Sequence, residues 1–146
     1  MRTPTYIALI LMVCLATCSV SYAGTVEVSS LSGKNYTAGI DLYNTFGFVQ
    51  KNDNGQPTGV WGLSILAGIT YKGYFKPVEA DQWNMFWRIG EIAIFIPYIG
   101  IGLDYVWGNG VYFGCGMHLG IVPALGGSPP VSPVAPLPDI HLSFLF

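Results

Sequence analysis

His141 and Ser143 stand two residues apart near the end of the chain. On an extended strand that spacing puts a general base and a hydroxyl nucleophile on one face, the starting material for hydrolysing an acyl ester. Spacing alone names no third group to orient the histidine. The plainer reading is that His118 and His141 are polar residues lining an interior, beside Asp104. Asp41, Arg88, Glu91 and Asp104 are the charged side chains that could form a network there. Glu91 is the awkward member, because Trp87, Ile89 and Ala93 share its parity. Cys115 sits among apolar neighbours and reads as a small hydrophobe. No metal-ligand spacing and no Gly-rich phosphate loop occurs, so no metal or cofactor is expected.

These residues must be carried by strands. From Val111 to Ile121 the odd positions are Val, Phe, Cys, Met, Leu and Ile, and the even ones are Tyr, Gly, Gly, His and Gly. Ile99, Ile101, Leu103, Tyr105 and Trp107 alternate in the same way with Gly100, Gly102, Asp104 and Val106. Gly108-Asn109-Gly110 between them is turn chemistry, which predicts a hairpin. Candidate strands are 36–50, 59–75, 86–95, 98–107, 111–122 and 139–146, with Thr25–Ser32 a possible seventh. Asn52–Gly59 and Lys76–Asn84 read as polar connections. Pro123–Pro138 reads as a proline-rich loop that stays out of a central sheet.

Composition names the solvent. Hydrophobic residues make up 51% of the 146, charged residues 10%, and mean hydropathy is +0.48. About 25% charge is usual in a soluble domain. Residues 1–23 have the form of a signal peptide: Arg2, an apolar run from Tyr6 to Cys18, then Ser21-Tyr22-Ala23 as the cleavage site. Leu15-Ala16-Thr17-Cys18 offers a rival lipidation site at Cys18, with Thr17 poorly suited to it. An uncleaved anchor is disfavoured because the run is shorter than the roughly 20 residues a bilayer requires. The remainder, 24–146, is one domain with five basic residues against eight acidic ones and no basic cluster, so no nucleic-acid partner is expected. Cys115 is its one thiol, which excludes an internal disulfide.

A soluble sandwich would bury its apolar face on a second sheet and charge the other. Here the second face is mostly glycine with a few polar residues. An all-β, antiparallel, up-and-down transmembrane β-barrel accounts for that, with lipid on the outer face and a small or polar inner one. Trp61, Tyr71, Tyr74, Trp87, Tyr98, Trp107 and Tyr112 would supply interfacial aromatics. A helical inner-membrane protein is the alternative, resting on Ile89–Val106. Glu91, Pro97, Asp104 and the repeated glycines weigh against it. A soluble exported β domain is a further one.

Two segments carry a resemblance. Pro97-Tyr98-Ile99-Gly100-Ile101-Gly102-Leu103-Asp104-Tyr105 is similar to a strand common in small bacterial outer-membrane barrels, the outer-membrane protein A-like and X-like proteins. Ile140, Leu142, Phe144 and the terminal Phe146, at every second position, resemble the C-terminal signal read by the barrel-assembly machinery. The resemblance implies an outer-membrane location, lipid and that machinery as partners, and a monomer or homo-oligomer of six to eight strands, eight being the family's usual number. It implies a structural, surface or narrow-pore role without enzymatic activity. Some outer-membrane lipid A deacylases pair a histidine and serine as His141 and Ser143 are paired, which makes a lipid-modifying acyl hydrolase the alternative, although no asparagine follows Ser143. With six strands in hand, the run from Phe86 to Trp107 is the expected place for a hidden turn.

Overall fold

The computed structural model describes residues 30–64, 68–92, 96–121 and 134–146. Eight strands follow in chain order: β1 (Tyr36–Ile40), β2 (Phe46–Lys51), β3 (Pro57–Leu63), β4 (Ile69–Tyr74), β5 (Gln82–Ile92), β6 (Ile96–Val106), β7 (Val111–Ile121) and β8 (Val134–Leu145). Each pairs antiparallel with the next, and β8 returns to β1, so the sheet is a closed barrel. There is no helix among the described residues. The helical reading of Ile89–Val106 is therefore overturned: the stretch belongs to the β5–β6 hairpin, with Ile89 opposite Ile99 and Glu91 opposite Pro97. The signal peptide, the cleavage after Ala23, Cys18 and Thr25–Ser29 lie outside the described residues. Residues 30–33 form a turn rather than part of a seventh strand, with Leu31 tucked inside.

The missing strands come from 36–50 and 59–75, each of which folds as two, and not from Phe86–Trp107. The cause is parity. Phe46 follows Ile40, and Ile69 follows Leu63, by six positions, an even step, so the same parity faces outward before and after each turn. In the first turn the Asp41 carboxylate accepts the amides of Tyr43 and Asn44, an Asx device that needs no glycine. In the second, Ser64 Oγ accepts the Gly68 amide. Gly108-Asn109-Gly110 turns as expected, with Gly110 at φ +92° and the Trp107 amide donating to Val111 O.

Pro136 and Pro138 lie within β8, opposite Leu119 and Met117 of β7, contrary to the expected loop. Phe146 N–H donates to Tyr36 O on the β1 side, and Leu145 N–H to Gly110 O on the other. Alternation then aims the nitrogens of Pro136 and Pro138 toward β1, whose pairing with β8 covers only Leu142–Leu145. Proline is tolerated because no ladder bond is asked of it there.

Outward parity holds widely. Phe48, Trp61, Leu63, Ile69, Ile89, Ile99, Ile101, Leu119 and Ile121 are exposed. Three aromatics expected at the outer interfaces point inward instead: Tyr98 and Tyr112 are buried, and the Tyr74 hydroxyl meets Asp104. All three share the parity of Asp104 rather than of Ile101.

Candidate functional site: the charged interior

A chain of ions crosses the barrel. Lys72 on β4 donates to Asp104 Oδ2 on β6 at 2.7 Å, and the Tyr74 hydroxyl donates to the same oxygen at 2.6 Å. Asp104 Oδ1 lies 2.8 Å from His141 Nε2 on β8, and His141 Nδ1 lies 3.0 Å from Asp139 Oδ2. Arg88 on β5 continues it, 3.1 Å from Asp139 Oδ2 and 2.9 Å from Asp41 Oδ2. All these charged side chains are buried. Both ring nitrogens of His141 can donate only when the ring carries two protons. In that form Lys72, Arg88 and His141 balance Asp41, Asp104 and Asp139, which is the arrangement a low-dielectric interior demands.

The inward glycines make room for this. Gly114 stands in register between Asp104 and His141, and a Cβ there would land on Asp104 Oδ1 and His141 Nε2. Gly100 stands likewise between Arg88 and His118, where a Cβ would strike the His118 ring. The glycine face is the complement of large polar side chains on neighbouring strands.

An apolar cluster packs at each end. Leu31, Val78, Val106, Tyr112 and Leu145 pack at the end bearing the C-terminus, and Tyr43, Ile92 and Tyr98 at the other, with Ile96 and Leu137 against them. His118 lies in the second group, its ring 4.3 Å from that of Tyr43 and 5.2 Å from that of Tyr98.

Of the residues singled out from sequence, the fold brings Asp41, Arg88, Asp104 and His141 together. Glu91 is exposed near the end of β5, outside the network. His141 and Ser143 share the inner face, but both histidine nitrogens face carboxylates and Ser143 Oγ has no hydrogen-bond partner among the described residues. Ile140, Leu142, Phe144 and Phe146 all point outward. Sequence reasoning missed Lys72, Tyr74 and Asp139. Asp139 carries the parity of His141, which was the available signal. Asp41, Asp139 and His141 also bring ligand atoms within 4.8 Å of one another. Arg88 hydrogen-bonds both of those aspartates, so the cation this group holds is a guanidinium.

Fold and site define a closed eight-stranded barrel, aliphatic and aromatic outside, ionic within, capped by apolar clusters. No family model matches the chain, and no curated protein and no solved structure matches it.

Proposed function

We propose that the protein is an integral barrel of the bacterial outer membrane with a structural or surface role and no open pore, of the kind represented by the outer-membrane protein A-like and X-like barrels. The inverted distribution of polarity carries this reading: Lys72, Arg88 and Asp104 are fully enclosed while Ile40 is 82% and Ile140 75% exposed. Water does not favour such a surface; hydrocarbon does. A barrel also satisfies its backbone without solvent, as a bilayer requires. The interior supports the absence of a pore, because side chains fill an eight-stranded barrel and here an apolar cluster packs at each end of the ion chain. Outward-facing Ile140, Leu142, Phe144 and Phe146 suit recognition by the assembly machinery.

Cold and boiled samples on a detergent gel test the reading, together with planar-bilayer recording. A folded band that shifts on boiling and gives no stable conductance is expected. Unchanged migration would remove the membrane barrel, and a steady open state would remove the sealed lumen. Phe146→Asp is expected to lower outer-membrane assembly while leaving export unchanged.

A further inference from the structure

The two ends of the barrel differ in shape. A path across the strands from Ala38 runs through Phe46, Leu63 and Ile69 and on by Glu91, Pro97, Ile121 and Val134. It returns to β1 about ten residues further along, the stagger of a tilted barrel. With that stagger taken out, strand ends on the C-terminal side are level to within about three residues. On the opposite side β1–β4 stop roughly five residues, or about 10–12 Å of height, below β5–β8. The rim is flat at one end and cut obliquely at the other.

Strand lengths say where the low rim lies. β5–β8 have 11 or 12 residues, which at about 3.3 Å each and a tilt near 45° cover about 25 Å, the height of a barrel's apolar band. β1–β4 have five to seven, about half that height. If the flat end sits at one interface, the low rim ends near mid-bilayer.

The low rim is built for that depth. Its outward residues Ile40, Leu42, Leu63 and Ile69 are exposed and apolar. Of the exposed charged residues described, Asp53, Lys76, Glu79 and Asp81 belong to connections at the flat end, and Glu91 stands on the outer face of the tall wall, on β5 beyond the low rim. In the rim turns the amides of Tyr43 and Asn44 bond Asp41, Thr45 N–H bonds Leu63 O, and Gly68 N–H bonds Ser64 Oγ. Hydrocarbon requires such internal satisfaction. On β8 above the rim, where no described residue pairs on the β1 side, Pro136 and Pro138 have no N–H to leave unsatisfied. The inner face of the high wall changes character at the same height: Ile96, Ala135 and Leu137 replace the ions, and each is partly exposed.

We infer that the rim of β1–β4 is immersed in the bilayer and that a lipid acyl chain crosses it to lie on the inner face of β6 and β8 at Ile96, Ala135 and Leu137. This rests on the membrane reading above. It adds an acyl-chain site reached sideways from the lipid, with Tyr43 as its floor.

The test places single cysteines in the full chain bearing Cys14→Ala, Cys18→Ala and Cys115→Ala, reconstituted in phosphatidylcholine vesicles and checked for heat-modifiable migration. Leu42→Cys and Ile69→Cys probe the rim, Ala135→Cys the inner face, Ile101→Cys the outer wall and Asp53→Cys the flat end. Each is labelled with bimane and quenched either by lipid spin-labelled deep in its acyl chain or by iodide present on both sides of the membrane. Labels at 42, 69, 101 and 135 should lose most of their fluorescence to the spin-labelled lipid and little to iodide, and the label at 53 the reverse. Iodide quenching at 42, 69 and 135 with lipid quenching at 101 would overturn the inference and leave the membrane barrel standing. Iodide quenching at 101 as well would overturn both. Shielding of 135 from both quenchers would show protein covering the face, from this chain or a second copy, and would also overturn it.

Discussion

The wall of β5–β8 and the wall of β1–β4 share a chemistry and differ in what holds them up. Long hairpins in continuous register secure the first, with β5 and β6 matched from Gln82–Val106 to Ile92–Ile96. The second has short ladders and depends on bonds thrown across the lumen. Thr37 meets Tyr112 at 2.7 Å, Thr70 meets Tyr98 at 2.6 Å, Lys72 and Tyr74 meet Asp104, and Asp41 meets Arg88. Each of these ties a residue of β1, β4 or the β1–β2 turn to one of β5–β7. The charged interior is thus the scaffold on which a wall too short to stand alone is hung.

The largest break in that comparison is Arg88→Met, which leaves Asp41 buried without its cation and Asp139 with His141 alone. A loss of about 3–5 kcal/mol is expected, read from urea unfolding of the vesicle-inserted protein. A loss below about 1 kcal/mol, the size of an exposed pair, would mean that the walls stand independently. Gly114→Val attacks the tall wall from within, pushing Asp104 and His141 apart, and should cost about 1–3 kcal/mol by overpacking. Unfolding free energies near those of the unaltered chain would show that the network can shift to accept a side chain. Thr70→Val removes one cross-lumen bond and leaves the Tyr98 hydroxyl short of a partner, for about 1–2 kcal/mol. Hydrogen exchange should then quicken in β4 before β6, and equal acceleration in both would deny that the short wall is the dependent one. Pro138→Ala is the mildest, within about 1 kcal/mol. It adds an amide on the open side of β8, which should exchange within seconds in detergent, whereas slow exchange would reveal pairing across that side.

How much could be read in advance divides along the same line. The middle of the tall wall was legible: β6, its Gly108-Asn109-Gly110 turn and β7 follow directly from alternation, which also put Asp104, His118 and His141 inside, whereas Gln82–Asn84 of β5 read as part of a connection and Val134–Pro138 of β8 as part of a loop. The short wall hid two turns because its five-residue connections preserve parity, and because Asp41 and Ser64 do with side chains what glycine does elsewhere. Parity states which face a residue takes but not the height at which it meets another strand. Lys72 and Asp104 are partners through register and stagger, neither of which leaves a local trace. Asn44 shows the same limit: it shares the parity of Phe46 and Phe48, yet it lies in the turn and is buried. Pro136 and Pro138 argued against a strand, yet they lie where β8 has no partner on its β1 side among the described residues.

The seam between β1 and β8 has a consequence in time. It is closed by four residue pairs, from Thr37–Leu145 to Ile40–Leu142, and its partners lie at opposite ends of the sequence. The β5–β6 and β6–β7 hairpins join residues close in the chain and form with little loop-closure entropy, on the order of microseconds for an isolated hairpin. The seam forms only after nearly everything between its partners has been ordered. Folding is therefore expected to run from an open, curling sheet to a cylinder, with closure as its last event. The same short seam is expected to part first in unfolding, and until it shuts the growing sheet has a free edge that another chain could occupy.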